Sequence, residues 1–307
     1  MTSASSTTSR LTVTHEHGRQ IVVTADGVEI ATYVYDPPVP DFESRKPYLH
    51  PLRTLDGALV SAYRPNDHRW HKGLQMTISH LSGQNFWGGN SYVHGEGYRV
   101  RDNVGRMRHD AFDLVDVTPT GLTLRESLTW ITSTEEHWVA ERRELRIHGV
   151  DPGRGTWTLD FQTALRNIRG AELRVGSPST HGRPNAGYTG FFWRGPRGWT
   201  GGEIVTADGG GPETMGRQSP WLAYTAEHDE VDGGGTVLVF AGTSSAAVPL
   251  KWFVRNTPFP AVNPSPAFDE EVVLAPDETL RLAHRVVFAD RAWDRAEIEA
   301  YAAEHAP

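Results

Sequence analysis

Residues 121–148 read GLTLRESLTWITSTEEHWVAERRELRIH. Apolar residues recur there at short period rather than three or four apart, and a polar step divides the stretch, which is the pattern of two long neighbouring β-strands. The same rhythm runs outward in both directions. TWTLDFQTALRNI (156–168), GTVLVFAG (235–242), LKWFVRN (250–256) and LRLAHRVVFAD (280–290) are strand-like runs separated by Gly, Pro, Asp or Ser turns. Residues 11–36 give LTVTHEH, a Gly-Arg turn, QIVVTA, an Asp26-Gly27 turn and VEIATYVYD, which predicts successive hairpin strands. Helical spacing is confined to RAWDRAEIEAYAAEHA (291–306), where Trp293, Ile298 and Tyr301 share a face and Asp290 is the expected N-cap. The pattern predicts an all-β protein: one large antiparallel β-sandwich over residues 11–307 with a short C-terminal helix, preceded by a flexible tail at residues 1–10.

Composition bounds the function. Of 307 residues, 38% are hydrophobic and 22% charged, with ten Trp, nine Tyr and eleven Phe, enough for a substantial core. A net charge of −8 and no block of Lys or Arg argue against a nucleic-acid or anionic-membrane partner. The start, MTSASSTTSR, lacks the apolar run of a secretory signal, and no stretch approaches a membrane span, so a cytoplasmic location is expected. Association into a homo-oligomer is left open. The absence of cysteine removes thiol chemistry, disulfides and thiolate ligands together, so any metal must be held by His, Asp or Glu. Glycine and proline gather in 182–220 and 256–266, read as long irregular loops of the kind that carry sites.

Three clusters carry chemistry. YLHPLRTLDGA (48–58) and RPNDHRWHKG (64–73) bring His50, Arg64, Asp67, His68, His71 and Lys72 close in sequence. Side chains three apart in a turn converge, and Asp67 can orient an imidazole by accepting its ring proton, which suits a general base or a metal ligand. The competing reading is a turn whose histidines bond to backbone while Trp70 plugs the core. STHGRPNAGYTGFFWRGPRGW (179–199) sets His181, Arg183 and Asn185 beside Tyr188, Phe191, Phe192, Trp193 and Trp199, a mixture of polar donors and aromatic faces suited to a sugar; an aromatic-anchored loop is the alternative. In NFWGGNSYVHGEGYRVRDN (85–103), His94 and Glu96 lie two apart, on one face of a strand if strand it is. The histidines at 15, 17, 109, 137, 148, 228, 284 and 305 have no such company and are read as structural. Neither GxxxxGK[ST], nor a GxGxxG between strand and helix, nor GxSxG occurs.

KPYLHPLRTLDG (46–57), RPNDHRWHKGL (64–74) and GQNFW (83–87) resemble the bacterial family labelled "methane oxygenase PmoA", and the likeness continues through SPWLAY (219–224) and WFVRN…FPAVNPSPAF (252–268). That label denotes a multi-span membrane subunit, which a chain without long apolar runs does not match. The resemblance implies a sandwich of the galactose-mutarotase type, and VVLAPDETLRLAHRVVF (272–288) is similar to the closing strands of that superfamily. The mutarotase His–Glu pair has no assignable counterpart here.

Taken together, the expected protein is a carbohydrate-active enzyme working on a sugar, keto-sugar or glycoside by histidine-mediated proton transfer, as an epimerase or a lyase or hydratase. His71, His181, Asp67 and His50 are the catalytic candidates. Arg64, Lys72, Arg183, Asn185, Tyr188 and Trp193 are the substrate contacts. A second reading gives His68 and Glu96, with His50 and His71, to one divalent metal ion. A third is a non-catalytic sugar-binding or sensing module.

Overall fold

The strand pair quoted above forms with long register. In the computed structural model, which describes residues 11–229 and 231–306, Gly121–Ile131 pairs antiparallel with His137–Asp151, from Gly121 opposite His148 to Ile131 opposite His137. Leu122, Leu124, Leu128 and Trp130 of one strand and Leu145 and Ile147 of the other are buried on the same side. The expected tail at residues 1–10 lies outside the described residues.

Two large sheets carry the architecture, antiparallel wherever strands pair. One has nine strands in the order Gly209–Gly210, Glu203–Thr206, Trp221–Glu227, Gly234–Ser244, Thr279–Ala289, Thr156–Asn167, His137–Asp151, Gly121–Ile131 and Arg106–Thr118. The other has eight: Leu11–Glu16, Gln20–Ala25, Val28–Val34, Tyr48–Leu52, Leu74–Thr77, Gly190–Arg194, Ala261–Ser265 and Lys251–Arg255. One hydrophobic cluster draws on both sheets, with Ile21, Leu49, Leu74, Met76, Phe191, Trp193 and Trp252 from the second meeting Leu124, Trp130, Trp157, Leu159, Phe161 and Val286 from the first. Two sheets sharing one core between their facing sides make a sandwich.

A charged network lies inside that core. Glu141 accepts from Arg143 Nε (2.8 Å) and Nη2 (3.0 Å), from Trp130 Nε1 (2.7 Å) and from Thr163 Oγ1 (2.8 Å). Arg143 Nη1 also donates across the sandwich to Tyr33 Oη at 3.1 Å, and Tyr33 donates to Glu126. Each buried charge has a partner, the condition under which such groups are tolerated.

The eight-stranded sheet is buried on its outer side as well. Leu74–Thr77, Gly190–Arg194 and Ala261–Ser265 are buried at every position, because loops cover the face turned away from the core. Along Gly190–Arg194, Phe191 and Trp193 point into the sandwich while Phe192 and Arg194 point to the loop-covered side, as the period of two requires. Along Lys251–Arg255, Trp252 and Val254 join the core and Phe253 joins Phe192 outside it.

The segments 182–220 and 256–266, expected to be irregular, contain the strands Gly190–Arg194, Glu203–Thr206 and Ala261–Ser265. Tertiary pairing overrides their glycine and proline content; Pro264 takes part in the pairing with Lys251–Arg255, opposite Trp252. The helix is Arg295–His305, and its N-cap is Asp294 rather than Asp290. Asp294 accepts from the Glu297 backbone N–H at 2.9 Å and the Glu297 side chain accepts from the Asp294 N–H at 3.1 Å, a reciprocal capping box. Trp293 before the cap and Ile298 in the first turn are both buried in a second cluster with Val205, Leu238, Phe240 and Val287, which seats the helix on the outer face of the nine-stranded sheet.

Candidate active site

Loop 63–73 is closed by its own backbone. Arg64 N donates to His71 O at 2.9 Å and Gly73 N to Ala62 O at 2.7 Å, while two successive turns, His68 N to Pro65 O (3.0 Å) and His71 N to His68 O (2.9 Å), wind the chain between. The turns bring the imidazoles of His68 and His71 into a stack, centroids 4.8 Å apart and planes 22° from parallel. Trp70 lies against Gly88 and Gly89: a Cβ at either position would come within 2.7 Å of Trp70, and both glycines have positive φ. Asn85 holds that second loop, its Oδ1 accepting from the N–H groups of Trp87 and Gly88 at 2.9 Å each and its Nδ2 donating to Gly89 O at 3.1 Å.

Around these loops, on the outer side of the eight-stranded sheet, is a cavity of about 330 Å³. Trp70, Trp87, Tyr188, Phe192, Phe253 and Phe259 give it aromatic walls, and its polar edge is made by His68, His71, Asn90, Tyr98, Arg183 and Arg255. Size and lining suit one small ring-shaped ligand.

The two histidines differ in chemistry. His71 is buried, and its Nδ1 accepts from Arg194 Nη1 at 3.1 Å. A guanidinium only donates, so the ring proton of His71 is on Nε2. Burial, then the neighbouring His68 and the cations Arg194, Lys46 and Lys72, hold His71 well below the usual histidine range, so the ring is neutral. His68 is half-buried, and Asp67 Oδ2 stands 3.0 Å from its Nδ1, close enough to draw the ring proton there although the carboxylate is off the line of a straight hydrogen bond. The Nε2 lone pair of His68 is left available. Burial lowers the His68 pKa and Asp67 only partly offsets it. Burial opposes ionisation of Asp67, but the contact with His68, its own backbone N–H and the charge of Arg194 together outweigh it, and the carboxyl titrates below its ordinary value.

Beyond the histidines, Arg183 donates to Tyr98 Oη and lies over that ring at 4.8 Å. Tyr98 in turn shares a 2.7 Å hydrogen bond with Tyr188. Tyr98 comes from the hairpin of Ser91–Val93 with Gly97–Arg99. Arg194 stacks on Phe259, 3.7 Å from ring centroid to Cζ, and burial brings its pKa down to about 10.

Of the residues singled out from sequence, His68, His71, Arg183 and Tyr188 line this cavity, and Asp67 stands behind His68. The others do not meet there. His50 bonds Ser61 Oγ at 2.9 Å and stacks on Tyr63, and burial brings its pKa down to about 4. His181 stacks on His80 with centroids 3.6 Å apart, and its Nδ1 faces Thr180 Oγ1 and Ser177 O. Arg64 and Lys72, expected at substrate, both turn to the buried carboxylate of Glu43, Arg64 through Nε at 2.9 Å and Nη2 at 2.5 Å and Lys72 through Nζ at 3.2 Å. Trp193 is fully buried in the sandwich core, its Nε1 donating to Val60 O at 3.0 Å, and Asn185 is an exposed turn residue with φ of 53°. His94 and Glu96 occupy the tip of the hairpin rather than one strand face, and Glu96 pairs with Arg99 at 3.4 Å.

The expected metal set is therefore not assembled. Among the described residues no three His, Asp or Glu side chains form a group able to hold an ion, because His50 is engaged away from the cavity and Glu96 is at the hairpin tip. Trp87, Tyr98, Arg194, Phe253, Arg255 and Phe259 were not anticipated from the sequence as site residues. Strand alternation was the available signal for three of them: once Trp193, Trp252 and Val254 are core, Arg194, Phe253 and Arg255 must face the other way.

The fold and site define an antiparallel β-sandwich with an aromatic, histidine-bearing pocket on the outer face of one sheet. Over residues 20–303 the chain matches, and belongs to, the family described as "Family of unknown function (DUF6807)"; that description does not carry the PmoA label. No curated protein matches. Among solved structures it is similar to a galactose 1-epimerase from Lactobacillus acidophilus NCFM, at 8% identity over 92% of this chain and 99% of that one, with a TM-score of 0.35. An α-galactosidase from Lactobacillus brevis matches at 9% identity over 92% of this chain and 40% of that one, with a TM-score of 0.38. A GalM/aldose epimerase homologue from C. elegans matches at 8% identity over 93% and 100%, with a TM-score of 0.28. TM-scores this low say nothing about shared chemistry. No helix among the described residues is long and apolar enough to cross a membrane.

Proposed function

We propose that the protein is an enzyme that moves a proton on a small carbohydrate bound in the aromatic cavity, with His68 as the base. The observation that carries the reading is the Asp67–His68 pair opening on that cavity. Asp67, 3.0 Å from Nδ1, favours the tautomer that leaves Nε2 unprotonated, and the depressed His68 pKa keeps the ring neutral at neutral pH. His71, neutral with its proton on Nε2, is a hydrogen-bond donor for an oxygen on which charge develops. Trp70, Trp87 and Phe192 offer faces to the C–H side of a sugar ring. His50 and His181 have no part in this assignment, and the proton-transfer role expected of His71 or His181 goes to His68, stacked on His71.

The test is hydrogen exchange. Sugars and sugar acids are incubated with the protein in D2O and followed by proton NMR, which detects a wash-out at carbon, an anomeric exchange or an unsaturated product. Enzyme-dependent exchange that disappears in His68→Ala is the expected result. A sugar that raises the melting temperature yet is recovered with every hydrogen and configuration intact would instead make the pocket a binding module.

A further inference from the structure

We infer that the ligand of this cavity is an anion, specifically a sugar ring bearing a carboxylate, and that Arg183 and Arg255 hold the carboxylate. The inference rests on the carbohydrate reading above and adds to it the class of substrate.

Two guanidiniums face one cavity, and among the described residues no Asp or Glu lines it, although the chain as a whole has a net charge of −8. Arg183 has Tyr98 as its hydrogen-bond partner, a neutral hydroxyl. The Arg255 side chain makes no ion pair or hydrogen bond among the described residues; its guanidinium sits 5.4 Å from the Phe253 ring centroid. Its pKa is lowered, by burial first and then by the charge of Arg183, so the two cations act on each other across the site. Holding two mutually repelling cations against an aromatic wall without a counter-ion is unfavourable in the empty protein, and an anionic ligand reverses that cost. Elsewhere the fold supplies carboxylates to buried Arg143, from Glu141, and to the half-buried Arg285 and Arg64, from Asp160 and Glu43. Arg194, buried with His71 and Phe259 as its contacts, adds a further cation behind two residues of the cavity wall.

Carboxylate is favoured over phosphate by what surrounds the arginines. Phosphate sites typically add a cradle of backbone N–H groups at a glycine-rich loop or helix start; here the N–H groups of Trp87 and Gly88 are taken by Asn85 Oδ1 and that of Gly89 by Phe42 O, and the α-helix among the described residues packs on the other sheet. A planar carboxylate matches the guanidinium fork. It also suits the base: His68, Arg183 and Arg255 line one cavity of about 330 Å³, so all three face the same small ligand. Removal of the hydrogen on the carbon next to the carboxylate delivers its proton to His68 Nε2. The electron pair enters the bond to the carboxyl carbon as an enediolate, whose second negative charge the two guanidiniums bear. Return of a proton to that carbon restores the acid.

The test measures binding by calorimetry at low salt for the methyl glycosides of glucuronate, galacturonate, mannuronate and iduronate, each against the matching hexose and hexose 6-phosphate. At least one uronate should bind tenfold or more tightly than its hexose, with a preference that weakens as salt is raised. The preference should vanish in Arg255→Gln and Arg183→Gln and survive in part in Arg255→Lys, with melting temperatures reporting that each variant is folded. Equal binding of uronates and hexoses, tighter binding of the 6-phosphates, or a preference intact in both glutamine variants overturns the inference. His68→Asn separates the two readings, because it should keep the uronate preference while losing deuterium exchange. Neutral sugars that exchange hydrogen and bind as well as uronates would end the carboxylate assignment and leave the proton-transfer reading standing. Uronates bound with the preference but never exchanged would do the reverse.

Discussion

Two imidazoles three residues apart sit in one stack, yet their partners give them opposite roles. Arg194 occupies the lone pair of His71, whereas Asp67 stands at the proton-bearing nitrogen of His68. The pH dependence follows from the sign of the His68 shift. Burial lowers its pKa below 6.5, so the basic form is already present at pH 7 and turnover should fall only on acidification below about 6.5. Asp67→Asn removes the influence that raises the His68 pKa, so the acid limb should move to still lower pH while the rate drops about 10- to 100-fold through loss of ring orientation. His68→Ala should abolish the limb and cost about 10²- to 10⁴-fold in kcat. A pH–rate profile of the three proteins checks this, and a limb that persists in His68→Ala would remove the base from this position. The sequence revealed the Asp67–His68–His71 cluster because these residues are neighbours along the chain. It could not reveal that Glu43, 21 residues before Arg64, claims Arg64 and Lys72, or that Arg194, 123 residues after His71, decides the tautomer.

At the scale of elements, the helix shows how local rules act once the correct start is found. Both Asp290 and Asp294 precede the helical run, but only Asp294 has a glutamate three residues on, and the reciprocal bonds form there. Asp294→Ala should lower stability by about 1 kcal/mol, read as a shift in the denaturation midpoint with the m-value unchanged; Asp290→Ala should not reproduce the effect through the cap. Strands were legible where one face is core and the other wet, as in Gly121–Ile131. Arg106–Thr118 was not anticipated, because as an edge strand it pairs with one neighbour and stays largely exposed, leaving little apolar alternation. Ala261–Ser265 was hidden for the opposite cause, being buried on both faces and carrying Asn263 and Pro264, which read as loop residues. Asn263 is in fact satisfied by the neighbouring strand region, its Nδ2 donating to Thr189 O at 3.0 Å and its Oδ1 accepting from Thr189 N at 2.9 Å. Such a partner is supplied by the fold and has no trace in local sequence.

For the whole molecule, burying neutral histidines couples the sandwich to pH. His50, His80 and His284 are each brought down to about 4, all three chiefly by burial. The unfolded chain takes up protons on these side chains from about pH 6.5 downward, while the folded protein does so only near 4, so stability is full above 6.5 and declines across that interval. Carboxylates act in a lower window: Glu43, Asp67 and Asp160 have folded pKa values below their ordinary ones, and stability tied to them is lost only as pH falls through and below about 4. The two windows are separable by experiment. His284 is the cleanest probe, being buried against Phe191 with Nδ1–H donating to Ala241 O at 2.7 Å. Unfolding free energy from urea titrations between pH 7 and 4.5 should fall steadily in the parent protein, and in His284→Gln the slope should be shallower by up to one proton, about 1.4 kcal/mol per pH unit, whatever the offset from changed packing at pH 7. A parent protein with flat stability across that range would mean that its buried histidines are either protonated or reached by water, and the enclosed core described for the sandwich would then be wrong at those three positions.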